Sequence, residues 1–102
     1  MQDELLNELS WVLSQASNRD DLETLLQGLL TPQELEEVIQ RWRLIQMLLE
    51  GRTQRDISHD LGISLGKIAR GSRLLKYGPP EFRALAARII DKGKDIHLDD
   101  RP

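Results

Sequence analysis

The 102-residue sequence contains no cysteine, which excludes disulfides and any thiolate-held metal site. Aromatic residues are scarce, with two Trp, one Tyr and one Phe, too few to build a stacking platform for single-stranded nucleic acid. No apolar run approaches the ~20 residues that a membrane span requires, and the acidic N-terminal stretch does not resemble a signal peptide. A cytoplasmic location with no membrane partner is therefore expected. There are two histidines, His59 and His97, and no glycine-rich phosphate loop or paired-carboxylate site stands out. His59 reads as an exposed helix residue, and the acidic side chains read as helix caps and solvated faces. These absences argue against an enzyme and against a resident metal. Internal repeats and strand patterns are missing as well.

What remains is helix. Leu5, Leu6, Leu9, Val12, Leu13 and Ala16 recur at helical spacing, then Ser17-Asn18-Arg19-Asp20 breaks the pattern. Leu22, Leu25, Leu26 and Leu29 mark a short second helix. Thr31-Pro32-Gln33-Glu34 is a sharp start signal: a cap, proline at the first helical position, and glutamate to close a capping box. Gly51 ends that third helix, and Tyr77-Gly78-Pro79-Pro80 breaks the chain again before a last amphipathic helix with Phe82, Leu85, Ala86, Ile89 and Ile90. The expected fold is all-α, about six helices with a central helix-turn-helix. It is one domain over residues 1–93, made of N-terminal helices over 1–30, a long central helix over 31–50, the helix-turn-helix over 53–76 and a C-terminal helix over 79–93. Residues 94–102 are expected to form a flexible tail. A chain of this length has room for one modest core.

The segment from Thr53 to Lys76 carries the functional signal. Thr53 is a plausible cap with Asp56 three residues on, and Ile57 and Leu61 share a face. Ser58 is small enough to let a second helix approach closely. Gly62 can take the left-handed conformation that ends a helix, and Ser64 can cap the next. Ile63 and Ile68 complete a small core with Ile57 and Leu61. This is the spacing a helix-turn-helix uses to present one helix to the DNA major groove. Charge agrees with it. The formal net charge is only −3, but residues 1–39 hold one basic and nine acidic residues while residues 40–76 hold eight basic and three acidic. A basic segment on an acidic chain is a local footprint for phosphates.

The leucine-rich first two helices are too apolar on one side to lie free in water. Their faces can pack within one chain or against a second copy. A symmetric dimer would also set two groove-reading helices about one DNA turn apart, roughly 34 Å. A module that binds other proteins through these leucine faces is a further reading, and the basic segment disfavours it.

Leu30-Thr-Pro, Arg41 within Gln-Arg-Trp-Arg-Leu-Ile, Leu48-Leu-Glu-Gly51, Gln54-Arg55, Leu61-Gly62, Ile68-Ala-Arg-Gly-Ser72 and Leu75-Lys76 stand in an order and spacing that resemble the bacterial tryptophan repressor family over roughly residues 29–85. The resemblance implies an intertwined homodimer of six helices per subunit. It also implies L-tryptophan as corepressor and a palindromic double-stranded operator controlling tryptophan biosynthesis genes. By the same resemblance, Arg70 pairs with the ligand carboxylate and Thr31 helps to hold it. Arg41 of the partner subunit covers the indole, Gly71 leaves room for the ring, and the ammonium meets carbonyls near Leu30. Two arginines around one amino acid make chemical sense, since one can clamp the carboxylate and the other can stack on the ring. Read without the resemblance, Arg70 could contact phosphate and Arg41 could be a solvated helix residue.

The sequence departs from the family at Leu74, where better-known members carry a hydroxyl residue that helps bind the ammonium. A hydrogen bond lost there costs about 1.5–3 kcal/mol. The stretch from Gly51 to Gln54 is also one residue short, and Tyr77-Gly78 is closer to a sister branch not known to respond to tryptophan. The alternative reading is accordingly a DNA-binding regulator that is ligand-independent or takes a different effector. On the DNA side the expected contacts are Gln54, Arg55 and Ser58, then Leu65, Gly66, Lys67 and Ala69 at the start of the recognition helix. Arg73 and Lys76 are expected at phosphates.

Overall fold

The computed structural model describes residues 2–96. It contains α1 (Gln2–Ser14), α2 (Arg19–Leu29), α3 (Pro32–Leu49), α4 (Gln54–Leu61), α5 (Leu65–Tyr77) and α6 (Pro80–Ile96), with no strand among the described residues. The fold is all-α, as expected.

Local chemistry sets most helix ends. Asn18 caps α2 by accepting from the Asp21 N–H at 2.8 Å. At the start of α3 the capping box is closed on both sides. The Glu34 N–H donates to Thr31 Oγ1 at 3.1 Å, and the Thr31 N–H donates to Glu34 Oε1 at 2.9 Å. The Thr31 N–H first, and the Thr31 hydroxyl second, hold the Glu34 carboxyl below the ordinary glutamate value. Gly51, at φ 85°, ends α3 with two closing bonds, its own N–H to Leu48 O at 3.1 Å and the Arg52 N–H to Met47 O at 3.1 Å. That pairing is a Schellman motif and needs a residue free to enter the left-handed region. Gly78 is required for a different reason: a Cβ there would lie 2.4 Å from the Leu74 carbonyl oxygen.

The end of α6 corrects the expectation. Gly93 does not stop the helix, which continues to Ile96. Gly93 has no positive φ, unlike Gly51 and Gly62. A glycine inside a helix lowers its stability but terminates it only if it leaves the helical region. Lys94 is thus helical rather than part of a tail, and residues 97–102, with His97, lie outside the described residues.

The chain divides inside α3 into two units, one up to Val38 and one from Ile39 onward, where a single domain was expected. In the first unit no residue of α1 or α2 is buried. Leu5, Leu6 and Trp11 are 66%, 65% and 63% exposed.

The second unit holds the core. Leu44 of α3, Ile57 of α4 and Ile68 of α5 form one buried cluster, edged by Met47, Leu48, Leu61 and Ile63. Ile45, Leu75 and Ala86 form another, edged by Trp42, Leu48, Leu49 and Phe82. The C-terminal half of α3 therefore carries α4 and α5 on one cluster and α5 and α6 on the other, with Leu48 touching both. Close approach of α5 to α3 runs through Gly71, where a Cβ would meet Leu44 Cδ2 at 3.0 Å. Ile57 and Ile68 are fully buried, so truncating either leaves a cavity. Ile57→Ala is expected to destabilise the protein by about 2–5 kcal/mol in urea unfolding, whereas Leu65→Ala, at a half-exposed position, is expected to change it little. Equal effects of the two substitutions would contradict this core.

Candidate nucleic-acid and effector site

The pair α4 and α5 is built from short-range signals. Thr53, in extended backbone at φ −72° and ψ 155°, caps α4 by accepting from the Asp56 N–H at 3.1 Å. Gly62 ends α4 in the left-handed region at φ 66° and ψ 33°, with its N–H donating to Ser58 O at 2.9 Å. Ser64 then caps α5, accepting from the Lys67 N–H at 3.2 Å. The turn between the helices is therefore three residues long, Gly62 to Ser64, and both of its ends are hydrogen-bonded. A further bond crosses it, from the part-buried Ser58 hydroxyl to Ile63 O at 2.8 Å. Ser58 thus commits its hydroxyl to holding the turn. The signal for this role in the sequence is a small donor placed five residues before a carbonyl on the far side of a glycine.

Gln54 and Arg55 occupy the exposed first turn of α4. Leu65, Gly66 and Lys67 form the exposed first turn of α5, with Leu65 at 54% exposure. Ile68 and Leu75 point into the two core clusters, so Arg70 and Arg73 face away from them and are exposed, as is Lys76. Ala69 is half-buried. The structure thus brings Leu65, Gly66, Lys67, Arg70, Arg73 and Lys76 onto the accessible side of one helix. Gly71 is turned toward α3, and its missing side chain is accounted for by Leu44.

Electrostatics separates these cations from a neighbour that the sequence reading passed over. The Arg52 guanidinium, just ahead of α4, donates to the carboxylate of Asp60 near its end. His59 Nδ1 lies 3.5 Å from the other oxygen of Asp60. The Arg52 bond first, and His59 second, hold the Asp60 carboxyl below the ordinary aspartate value. Opposite charges flanking a short helix were the available signal. Arg52 is thereby neutralised within the protein. Among the described residues, Arg55, Lys67, Arg70, Arg73 and Lys76 form no ion pair.

The residues expected around an effector fall in both units. Leu30 follows α2 in extended backbone at φ −116° and ψ 141°. Thr31 accepts from the Glu34 N–H in the capping box, and its hydroxyl also bonds to the Glu34 carboxyl. Arg41 is exposed on α3. Leu74 lies one turn beyond Arg70 on α5 and is 40% exposed, and its side chain offers no acceptor.

The described residues thus combine an all-helical fold, a tightly turned helix pair and an exposed row of cations that form no ion pair among them. The chain belongs to the Trp repressor family: the family pattern described as Trp repressor protein matches residues 4–90. It is similar to proteins named Trp operon repressor homolog from several bacteria. The Vibrio cholerae protein is 35% identical over 80 residues, 78% of this chain and 78% of that one. The Aliivibrio fischeri protein is 30% identical over 94 residues, covering 91% and 87%, and a Chlamydia trachomatis protein is 40% identical over 70 residues, covering 68% and 74%. The family is one of transcriptional repressors and not of enzymes.

The Asp60 bond gives a pH prediction. A depressed folded pKa stabilises the folded state above the ordinary aspartate pKa of about 3.9. That contribution fades as pH falls through the lower folded value. Wild type is expected to melt above Asp60→Asn at neutral pH, with the two melting temperatures converging in acid. A gap that persists or widens in acid would contradict the pairing.

Proposed function

We propose that the protein is a homodimeric, sequence-specific DNA-binding repressor of tryptophan biosynthesis or transport genes, with L-tryptophan as corepressor. The observation that carries the reading is the division of α5. Ile68 and Leu75 are buried against neighbouring helices, while Lys67, Arg70, Arg73 and Lys76 are exposed and form no ion pair among the described residues. Such a helix is anchored on one side and offers only positive charge on the other, which suits a phosphate-lined groove. Its N-terminal turn, with Leu65, Gly66 and Lys67, enters the groove. Gln54 and Arg55 approach from the start of α4, and Arg73 and Lys76 hold phosphates. Ser58 and Ala69 support this surface from partly buried positions.

Dimerisation is supported by the first unit, in which Leu5, Leu6, Leu9, Trp11 and Leu29 stay exposed and no residue of α1 or α2 is buried. At about 25 cal/mol per Å², side chains such as Leu5, Leu6 and Trp11 represent a large unfavourable exposure that a second copy removes. A cytoplasmic location goes with this role, and no helix among the described residues is long and apolar enough to cross a membrane.

For the effector, the family resemblance assigns Arg70 to the carboxylate of L-tryptophan, with Thr31 helping to hold it. Arg41 of the second copy stacks on the indole, and backbone carbonyls beside Leu30 receive the ammonium. Tryptophan seated there fixes the spacing of the two recognition helices, and it can do so only through a higher affinity for the DNA-competent arrangement. One observation favours a second reading. Leu74 lies beside Arg70 with no acceptor, as expected of a sister-branch regulator that takes a different effector or none.

Fluorescence anisotropy with a duplex selected from random DNA tests the proposal. Saturating L-tryptophan is expected to tighten binding by about 5–150-fold, the span of ordinary allosteric coupling. Arg70→Ala is expected to abolish that gain while leaving the fold intact. Arg55→Ala is expected to cost about 1–3 kcal/mol at one base position. Equal binding with and without L-tryptophan would favour the sister-branch reading, and equal weakening of Arg55→Ala on all sequences would reduce Arg55 to a phosphate contact.

A further inference from the structure

The exposed side of α5 is chemically one-sided. The helix runs Leu-Gly-Lys-Ile-Ala-Arg-Gly-Ser-Arg-Leu-Leu-Lys-Tyr and contains no Asp, Glu, Asn, Gln or His. Ser72 is partly buried, and Tyr77 stands at the far end. Over its first two turns the accessible polar side chains are Lys67 and Arg70, both donors only. Such a surface cannot accept from the amino groups that cytosine and adenine show in the major groove. It can donate to the acceptors that guanine shows there in a pair, O6 and N7.

Position along the helix separates the cations. Residues at the N-terminal end of a recognition helix meet base edges, while those further along meet phosphate. Lys67 is the third residue of α5, whereas Arg73 and Lys76 are its ninth and twelfth. Among the described residues Lys67 has no ion pair to hold it back, and its own N–H is already spent on the Ser64 cap. Clearance is built in beside it. A Cβ on Gly66 would meet only Ser64 Oγ at 3.8 Å, so internal packing does not require glycine there, in contrast to Gly71 and Gly78. A glycine inside a helix is disfavoured against alanine, and its use at this exposed first turn allows a close approach from outside.

We propose that Lys67 is the specificity-determining residue of α5 and reads a guanine in each half-site, with the bare Gly66 backbone admitting the helix to the depth that contact needs. This inference rests on the DNA-binding reading above. Leu65, apolar and half-exposed in the same turn, offers contact to a thymine methyl but no further polar readout.

Selection from a random-sequence duplex pool, with the full chain and saturating L-tryptophan, tests it on wild type, Lys67→Met and Lys76→Met. All three are exposed-site proteins whose folding is checked by circular dichroism. Wild type is expected to enrich half-sites sharing one guanine position. Lys67→Met is expected to lose preference at that position by about tenfold or more while keeping the rest of the motif. Lys76→Met is expected to keep the whole motif and to bind every sequence more weakly. A wild-type motif without guanine, or an unchanged guanine preference in Lys67→Met, overturns the inference. A folded wild-type protein that enriches no DNA overturns the DNA-binding reading itself, a failure distinct from the other two.

Discussion

The contact of Leu44 with Ile57 and Ile68 is the constraint on which the candidate DNA-binding surface depends. One leucine from α3 meets one isoleucine from each of α4 and α5, and the two isoleucines are fully buried. Neither short helix would hold its place alone, since isolated helices below ~12–15 residues are marginal in water. Once the isoleucines are seated, the remaining directions of α5 follow from helical geometry. Leu75 falls on the second cluster, Gly71 lets the backbone come close to Leu44, and the cations are left outward. The exposure of Lys67 and Arg70 is therefore a consequence of what Ile68 buries.

Around that core, polar groups are arranged so that few directions of charge remain open. Thr53 and Ser64 occupy the first N–H groups of α4 and α5, and Ser58 ties its helix to the far side of the turn. Asp60 takes the charge of Arg52. Of the two acidic residues of α4, Asp60 is held in an ion pair while Asp56 gives its backbone N–H to the Thr53 cap, and among the described residues the basic row on α5 forms no ion pair. A helix pair with a stiff turn and an unshared row of donors is suited to recognising a fixed array of acceptors. The first unit has the opposite character. Asn18 caps α2, but no residue of α1 or α2 is fully buried, so their most exposed apolar side chains require further cover.

Much of the fold was legible because its determinants are local. The caps at Thr31, Thr53 and Ser64 and the left-handed glycines at 51 and 62 all act within a few residues of where they are read. The end of α6 shows the limit of such local signals: a glycine at 93 suggests a stop by residue type, but only φ decides it. Non-local features were not legible. Nothing in residues 53–76 names Leu44 as the side chain that completes their core, and no pattern marks the division of the chain within α3. At the candidate site, residue chemistry was legible and exposure was not. Ser58 donates its hydroxyl inside the turn, and the missing Cβ of Gly71 faces Leu44, two contacts that residue type alone does not reveal. The family assignment rests on spacing shared across most of the chain, which is why motif reading and the match over residues 4–90 agree.

The corepressor mechanism requires an aromatic amino acid to occupy a site that includes Arg70. Isothermal titration of the purified protein with L-tryptophan, beside indole-3-propionate and L-phenylalanine, measures this directly. The account predicts saturable binding of L-tryptophan at one site per chain, weaker binding of L-phenylalanine, and loss of the heat in Arg70→Ala. Tighter binding of indole-3-propionate than of L-tryptophan would show that Leu74 has removed the ammonium site, and no heat with any of the three would contradict the corepressor mechanism.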